Sequence, residues 1–323
     1  MCENPCCVTR STDQIRARQR ILLIKLEPIV VFVQAFGPFA AIRAAHPQAR
    51  ITLLTTRLFA DLARRSPWFD EVWIDERPKL WQVGKMRALR RLLRSGRFER
   101  VYDLQTSDRS SGYLRLLGGP KAVEWSGIAR GCSHPHRNPQ RDGMHTIERQ
   151  AEQLRDAGIE PLSRPDLSWL DADITAFALS GPFALLVPGG APHRPDKRWP
   201  EAGYAELAVL LAAQGVTPVV VGTASEQDAA DAVQAACPQA VSLIGKTGIA
   251  DLAALARRAQ VAVGNDTGPM HLAAGCGCRC VVLYSQASDP ALCGPRGEQV
   301  QFLRVASLAT DLTPTQVMAA VLA

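Results

Sequence analysis

The chain has 323 residues, which is enough for two domains of ordinary size. Hydrophobic residues make up 47% and charged residues 21%, a normal globular balance, and no apolar run has the length of a membrane span. The net charge of +6 is mild and no basic–aromatic module recurs, so nucleic acid is not expected as a partner. Residues 1–20 are polar and predict a disordered leader rather than a signal peptide, which favours a cytoplasmic protein and leaves peripheral contact with a membrane open.

From residue 21 onward, strands and helices are predicted to alternate. In the first half, strands are predicted at residues 21–26, 51–54, 71–74 and 101–104, and helices at residues 33–45, 58–65, 85–94 and 146–157. Gly37 and Pro38 are expected to kink or delay the first of these helices. Residues 125–140 are rich in Gly, His and Pro and predict a mobile loop over a cleft, with no metal set completed by His134, His136 and His145.

Pro161 and Pro165 interrupt the pattern, and a second alternating series follows. Its strands are predicted at residues 183–187, 217–221, 241–244, 261–263 and 280–284, and its helices at residues 204–214, 227–236, 249–258 and 313–322. Two series of similar length predict an α/β protein with two doubly wound, Rossmann-like domains, residues 21–165 and 166–323. A cleft between two such domains is a favoured ligand site.

The most informative stretch runs from Val261 to Gly275. An apolar strand stops at Gly264, and a polar turn with Asp266 and Thr267 leads into a helix that carries His271. In open α/β sheets, ligands bind at the carboxyl ends of the strands, and the free N–H groups at the start of a helix attract phosphate. The alternative is an ordinary connection in which Asp266 or Thr267 caps the helix.

Two other predicted strand ends in the second half carry similar groups. Gly189 and Gly190 follow residues 183–187 and allow the backbone to approach a ligand closely. Lys197 and Arg198 come soon after and can neutralise a diphosphate, or can be two exposed cations of a surface loop. Glu226 lies just past the next strand, where a carboxylate can bind a ribose hydroxyl or favour the start of a helix.

Several familiar signatures are absent from the sequence. Gly245-Lys246-Thr247 ends like a Walker A loop, but Ala240 stands where its first glycine belongs. No strand is followed by G-x-G-x-x-G, and no G-x-S-x-G occurs. The nine cysteines do not form paired metal-ligand motifs, so we expect free thiols. We expect no metal site and no required cofactor, because protein cations and backbone N–H groups can take the role of a metal at the diphosphate. Diphosphate binding without marks of phosphoryl transfer, hydride transfer or serine hydrolysis suits sugar transfer from a nucleotide donor.

Residues 263–274, Val-Gly-Asn-Asp-Thr-Gly-Pro-Met-His-Leu-Ala-Ala, resemble the signature of glycosyltransferase family 9, the lipopolysaccharide heptosyltransferases. Residues 197–200, Lys-Arg-Trp-Pro, and residues 39–51 resemble further parts of that family, so the resemblance covers the chain from residue 21 onward. It implies a GT-B architecture, an ADP-heptose type of donor and inverting transfer. The implied acceptor is lipid A–Kdo or the core oligosaccharide at the inner membrane surface.

The resemblance also implies residue roles. Lys197 would hold the diphosphate, Glu226 the ribose, and Lys197 with His271 would ease the departure of ADP. The implied donor site consists of Gly189, Gly190, Lys197, Glu226, Asp266, Thr267, Gly268 and His271. On the acceptor side we expect Arg57, Gln105 and Arg109, because they follow strands of the first domain and arginine suits an anionic acceptor. Each of these three can instead be an ordinary loop residue.

One departure from the family concerns its general base. The family has Gly-Asp in the loop after the first strand, and this Asp is thought to be the base; here Val30 and Val31 occupy those positions. Valine cannot accept a proton, and a positioned base contributes about 10²–10⁴-fold in rate. Glu27 is the carboxylate within residues 25–34, and it can act as a substitute base or be a structural residue at the surface. The alternative function is therefore a nucleotide-sugar-binding homologue with impaired catalysis, and a nucleotide-sugar epimerase would need an acid–base pair that the sequence does not reveal.

Residues 85–94 predict a basic helix. Met86, Leu89 and Leu93 share one apolar face, and cations that include Lys85, Arg87, Arg91 and Arg94 spread over the rest. The pattern is that of a solvated helix face, a membrane-surface patch or a site for an anionic acceptor.

Overall fold

The structure is a computed structural model that describes residues 18–26, 29–161, 165–190 and 193–323. It contains two six-stranded sheets, and every strand pairing in them is parallel. The predicted α/β architecture with two doubly wound sheets is therefore confirmed. Glu27 and most of the predicted leader lie outside the described residues.

The first sheet has the order β3-β2-β1-β4-β5-β6. Its strands are β1 (Arg20–Ile24), β2 (Arg50–Thr55), β3 (Glu71–Ile74), β4 (Arg100–Asp103), β5 (Glu124–Gly127) and β6 (His134–Pro135). The second sheet has the order β12-β11-β10-β7-β8-β9. Its strands are β7 (Phe183–Val187), β8 (Thr217–Val220), β9 (Val241–Ser242), β10 (Val261–Asn265), β11 (Cys280–Tyr284) and β12 (Val300–Arg304).

This strand order positions the candidate site. The chain reverses its direction of travel across the sheet between β1 and β4, and again between β7 and β10. At such switch points the connections leave on opposite faces and open a crevice at the carboxyl ends of the strands. The central strand beside each crevice is largely apolar: β1 is buried from Ile21 to Ile24 and β7 at all five residues, as expected for parallel strands covered on both faces.

Helices cover both sheets. Those of the first half are α1 (Ile29–Gln34), α2 (Phe36–Ala45), α3 (Arg57–Arg65), α4 (Val83–Ser95), α5 (Asp108–Leu117) and α6 (Thr146–Asp156). Those of the second half are α7 (Glu201–Ala213), α8 (Gln227–Ala236), α9 (Ile249–Arg258), α10 (Gly268–Gly275), α11 (Pro290–Cys293), α12 (Leu308–Asp311) and α13 (Pro314–Leu322). Within the described residues, no helix has both the length and the apolar character needed to cross a membrane.

The two halves pack directly on each other. An aromatic cluster supports α1 and α2, with the rings of Phe32 and Phe59 stacked 4.4 Å apart between centroids. Leu272 of α10 and Ala253 of α9 join the same buried cluster from the second half. Helix α1 therefore lies at the boundary between the two sheets, against α10.

The structure corrects several sequence-based expectations. The helix predicted at residues 33–45 is two helices that meet at Ala35, and Val30 and Val31 lie in α1. Residues 125–140 are not simply a loop, because β5 and β6 extend the first sheet there. His145 is buried, with its Nε2 2.9 Å from the carbonyl oxygen of Gly294. The sequence analysis missed β12, since it is an edge strand with largely exposed residues and lacks an apolar run.

Candidate functional site

The crevice of the second sheet is organised by Asn265, the last residue of β10. Its amide nitrogen donates to the carbonyl oxygens of Pro188 and Gly189, at 2.9 and 3.0 Å. Its side-chain oxygen accepts from the backbone N–H of Trp199 at 3.0 Å. The side chain is completely buried, so these three bonds hold the loop after β7 and the segment that carries Lys197 against the end of β10.

Asp266 collects polar partners at this edge. Its Oδ1 accepts a hydrogen bond from the Tyr284 hydroxyl at 2.9 Å and lies 3.4 Å from Nε2 of His271. Its Oδ2 lies 3.8 Å from the Lys197 ammonium nitrogen. Burial raises the pKa of Asp266, but the bonds from His271 and Tyr284 and the charge of Lys197 outweigh burial and bring that pKa below its ordinary value. Asp266 is therefore a buried carboxylate anion that orients a lysine and a histidine.

The other ring nitrogen of His271 faces the first half of the chain. Its Nδ1 lies 3.4 Å from the amide nitrogen of Gln34, which also donates to the carbonyl oxygen of Cys293 at 2.9 Å. An amide nitrogen only donates, so Nδ1 accepts and the Nε2–H donates to Asp266. Gln34, on α1, thus sets the tautomer of His271, on α10.

Glu226 lies beside these groups in a short 3₁₀ helix after β8. Its side chain accepts from the backbone N–H of Thr223 at 2.8 Å, which completes a capping box. Its Oε1 lies 3.7 Å from a guanidinium nitrogen of Arg198. A Cβ on Gly222 would approach the Glu226 side chain to 3.0 Å, so glycine allows the carboxylate to sit against the strand end. The helix-start interpretation of Glu226 is confirmed, and its predicted contact with ribose stays a prediction.

Helix α10 begins at Gly268, with Thr267 as its N-cap residue. No side-chain capping bond forms, and the Thr267 hydroxyl is buried without a hydrogen-bond partner among the described residues. Just before the turn, a Cβ on Gly264 would lie 2.6 Å from the Val187 carbonyl oxygen. Glycine is therefore required there for β10 to pack against β7.

The crevice of the first sheet contains an unusual pair of groups. Ile24 pairs in register with Asp103, so β1 and β4 end at the same level and the residues that follow them are neighbours. The Lys25 ammonium donates to the carbonyl oxygen of Leu104 at 2.8 Å. Burial lowers the pKa of Lys25 to about 7, with the charge of Asp103 opposing that shift. Burial also raises the pKa of Asp103 to about 6, against hydrogen bonds from the N–H groups of Thr106 and Gln105.

A cavity of about 170 Å³ opens beside Lys25. It is lined by Lys25, Val31, Leu104, Gln105, Thr106, Arg141, Arg149, Gln150 and Gln153. Two of these side chains are arginines, one is Lys25, three are amides and none is a carboxylate. The Gln150 side-chain oxygen and one Arg141 guanidinium nitrogen are buried without a partner among the described residues. The cavity therefore suits an anionic, hydroxylated group.

Helix α1 connects the two crevices. Val31 lines the cavity, and Gln34, three residues later, reaches His271. Residues three apart on a helix lie on the same side, with Cβ atoms about 5–6 Å apart. Helix α1 therefore places Val31 at the cavity and Gln34 against His271, which in turn contacts Asp266.

The predicted acceptor-side residues separate in the structure. Gln105 lines the cavity, and its side-chain oxygen accepts from the backbone N–H of Leu26 at 2.9 Å. Arg57 is not part of that lining; its side chain is 84% exposed and lies 3.6 Å from Glu76. Arg109 is also outside the lining and donates to the carbonyl oxygen of Pro78 at 3.1 Å. The geometry brings only Gln105 to the crevice among the three.

Four residues of this arrangement were not predicted from the sequence: Lys25, Gln34, Tyr284, and Asn265, whose side chain holds the loop after β7. Lys25 and Tyr284 carried a usable signal, because each polar group ends or follows an apolar strand run. Gln34 offered none, since its partner is 237 residues away in the sequence.

Two doubly wound parallel sheets in contact, with polar groups at both switch points, are the arrangement of the GT-B fold. The fold agrees with solved structures of that class. The structure of E. coli ADP-heptose lipopolysaccharide heptosyltransferase II matches this chain with a TM-score of 0.74 and 25% sequence identity. The match covers 94% of this chain and 99% of that structure. The chain also matches the E. coli heptosyltransferase WaaC with ADP, with a TM-score of 0.76, 21% identity and coverage of 93% and 98%.

The chain belongs to glycosyltransferase family 9. Residues 86–319 match the family described as "Glycosyltransferase family 9 (heptosyltransferase)". The chain is also 28% identical over 289 residues to lipopolysaccharide heptosyltransferase 2 of Escherichia coli (strain K12), covering 83% of this chain and 82% of the relative. The corresponding Salmonella typhimurium protein is 27% identical with the same coverage. The resemblance that the sequence motifs indicated is confirmed.

Proposed function

We propose that the protein transfers a heptose-type sugar from an ADP-sugar to an acceptor of the lipopolysaccharide core, with inversion at the anomeric carbon. The observation that carries this proposal is the position of helix α1 between the two crevices. Its Gln34 contacts His271 of the second crevice, and its Val31 lines the cavity beside Lys25. The similarity to lipopolysaccharide heptosyltransferases supports the choice of donor and acceptor. The proposed place of action is the cytoplasmic side of the inner membrane, where a lipid A–Kdo or core oligosaccharide acceptor is reached.

The donor diphosphate would lie at the start of α10. Lys197 is close enough to Asp266 to be oriented by it, and the Thr267 hydroxyl has no protein partner among the described residues. A lysine, a hydroxyl and the positive end of a helix stabilise the charge that grows on the leaving diphosphate. Glu226, near Gly189, is the proposed ribose contact. These groups supply the charge stabilisation of the leaving group, so we propose that the reaction requires no added metal or cofactor.

The acceptor hydroxyl would approach from the cavity beside Lys25. Its oxygen forms the new bond to the anomeric carbon as the bond to the ADP oxygen breaks, and its proton leaves to a base or to water. The cationic cavity would hold an anionic group of the acceptor and orient that hydroxyl. The Nε2–H of His271, which donates to Asp266 in this structure, would also donate to an oxygen of the leaving diphosphate.

A direct test measures ADP release from ADP-heptose with a lipid A–Kdo acceptor, in the presence and absence of EDTA. Lys197→Ala is expected to lower kcat about 10²–10³-fold, because it removes a cation aimed at the transition-state charge. Lys246→Ala is the matched control, since that exposed lysine follows β9 in the same domain, and its variant should keep the normal rate. Unchanged donor affinity and turnover in Lys197→Ala would falsify this donor site, and loss of turnover in EDTA would overturn the metal-free scheme.

A second candidate function is binding of a nucleotide sugar with impaired transfer. Val31 favours it, because this side chain lines the cavity at the position where the family carries its acidic base. The test is calorimetric binding of ADP-heptose beside a turnover assay of the same preparation. Tight donor binding without transfer supports this second function, whereas robust transfer by the unaltered chain excludes it.

A further inference from the structure

The greatest concentration of charge in this chain lies around α4. Residues 77–98 contain eight Lys or Arg and no Asp or Glu, so this segment alone carries +8 while the whole chain carries +6. The rest of the protein is close to charge balance. Such segregation produces a local positive field that the mild net charge conceals.

The basic residues of α4 point away from the core. Leu89 and Leu93 are buried against the first sheet, whereas Arg87, Arg90 and Arg91 are exposed. Within the described parts of the chain, none of these three guanidinium groups has a carboxylate within ion-pair distance. The exposed side of the helix is therefore an uncompensated cationic surface.

Exposed apolar side chains adjoin the start of this helix. Leu80 is 82% exposed, Trp81 74% and Val83 53%. Lys79 places its ammonium nitrogen 4.9 Å from the centre of the Trp81 ring. An exposed indole beside aliphatic and cationic groups is typical of side chains that settle at the interface between lipid headgroups and acyl chains.

This apolar end lies on the side of the domain where the acceptor cavity opens. The segment follows the carboxyl end of β3, and Arg109, at the start of α5, donates to Pro78 at 3.1 Å. The cavity lies at the carboxyl ends of β1 and β4 in the same parallel sheet. A surface that binds here would meet the same edge of the sheet as the acceptor.

The exposed residues at the start and along the outer side of α4 form one surface, the α4 patch: Leu80, Trp81, Val83, Lys85, Arg87, Arg90, Arg91 and Arg94. We infer that the α4 patch binds the surface of an anionic phospholipid bilayer. Guanidinium groups bind lipid phosphates, and the three apolar side chains enter the headgroup region. The combination favours a bilayer over a nucleic acid or an acidic protein, because the apolar end contributes only where a nonpolar layer lies beneath the charges. The inference does not depend on sugar transfer, since vesicles without donor or acceptor test it.

The test is co-sedimentation of the full chain with phosphatidylcholine vesicles that contain about one third phosphatidylglycerol, and with pure phosphatidylcholine vesicles. The variant replaces Lys85, Arg87, Arg90 and Arg91 by Gln. The control replaces Lys121, Arg130, Arg137 and Arg258 by Gln, four exposed cations elsewhere. Each basic residue near an anionic surface contributes about fivefold in partitioning, so the patch variant, which lacks four of them, should bind roughly several hundredfold more weakly. The control should bind like the unaltered protein.

A second measurement addresses the apolar end. Tryptophan emission should shift to shorter wavelength on adding the anionic vesicles, and Trp81→Phe should remove most of that shift. Equal binding to neutral vesicles, equal losses in the two quadruple variants, or an unchanged shift in Trp81→Phe would each overturn the inference. So would a dimer in sedimentation analysis that only the patch variant loses, because the patch would then be a contact between copies. Thermal unfolding of the variants separates these outcomes from misfolding.

Discussion

The two crevices of this protein have the same topology and opposite electrostatics. At the second sheet, Asp266 is a buried anion whose neighbours Lys197, His271 and Tyr284 all favour its charge. At the first sheet, Lys25 and Asp103 are both buried, and burial shifts both pKa values toward the neutral forms. A switch point therefore provides only a location. The side chains at the strand ends decide whether that location is a satisfied ion cluster or a poorly compensated one.

The largest effect is expected from adding a carboxylate to the crevice of the first sheet. Val30→Gly with Val31→Asp places a carboxylate in the cavity beside Lys25, and we expect kcat for heptosyl transfer to rise about 10²–10⁴-fold. The measurement is single-turnover transfer with saturating donor. Val30→Gly with Val31→Asn is the control, because asparagine has the shape but cannot accept the proton. Equal rates in the two variants would show that the added carboxylate is not a base.

Neutralising Asp266 in the crevice of the second sheet should have the next largest effect. Asp266→Asn removes the charge that orients Lys197 and His271, and we expect kcat/KM for the donor to fall about 10²-fold, as small misplacements of reacting groups do. Steady-state kinetics with varied ADP-heptose checks this. Asp228→Asn, an exposed residue of α8, should behave like the unaltered enzyme. A normal kcat/KM in Asp266→Asn would remove Asp266 from the donor site.

The contrast in buried charge predicts a pH dependence of stability. The pKa of Lys25 is lowered from 10.5 to about 7, so between these values the unfolded chain binds more protons than the folded protein. Stability therefore rises with pH across that window, and from pH 7 to about pH 9 the contribution is about 2 kcal/mol. Urea unfolding at both pH values should show this rise in the unaltered protein and its loss in Lys25→Met. A rise of the same size in Lys25→Met would contradict the assignment to Lys25.

The smallest effect is expected from the connection between the crevices. Gln34→Leu keeps the approximate shape and removes the hydrogen bonds to His271 and to the Cys293 carbonyl. We expect kcat to fall about fivefold, in line with about 1 kcal/mol for such a bond, while donor affinity stays unchanged. Calorimetric measurement of donor affinity, together with kcat from steady-state kinetics, checks that only kcat changes. A fall in donor affinity with normal kcat would instead place Gln34 in donor binding.

The strands and helices of the second half were largely predictable from sequence. The strand Phe183–Val187 and the helices Gln227–Ala236 and Ile249–Arg258 have the predicted bounds, because their hydrophobic patterns are strong and local. Short or exposed elements such as β6 and β12 were not predictable, because they depend on pairing with a neighbouring strand.

The candidate site divides in the same way. The polar turn from Asn265 to Thr267 follows an apolar strand, so its position at a crevice could be read from the sequence. The partners of these residues could not: Tyr284 comes from the next strand of the sheet, and Gln34 comes from the other half of the chain.

The fold class, the family and the strand ends that carry polar side chains could all be read from the sequence, because these properties rest on local hydrophobic periodicity and contiguous motifs. Tertiary contacts alone fix the tautomer of His271, the burial of Lys25 with Asp103, and the position of Val31 in α1 beside the cavity. These properties depend on contacts between distant residues and on the loss of water around buried charges, which no local pattern records.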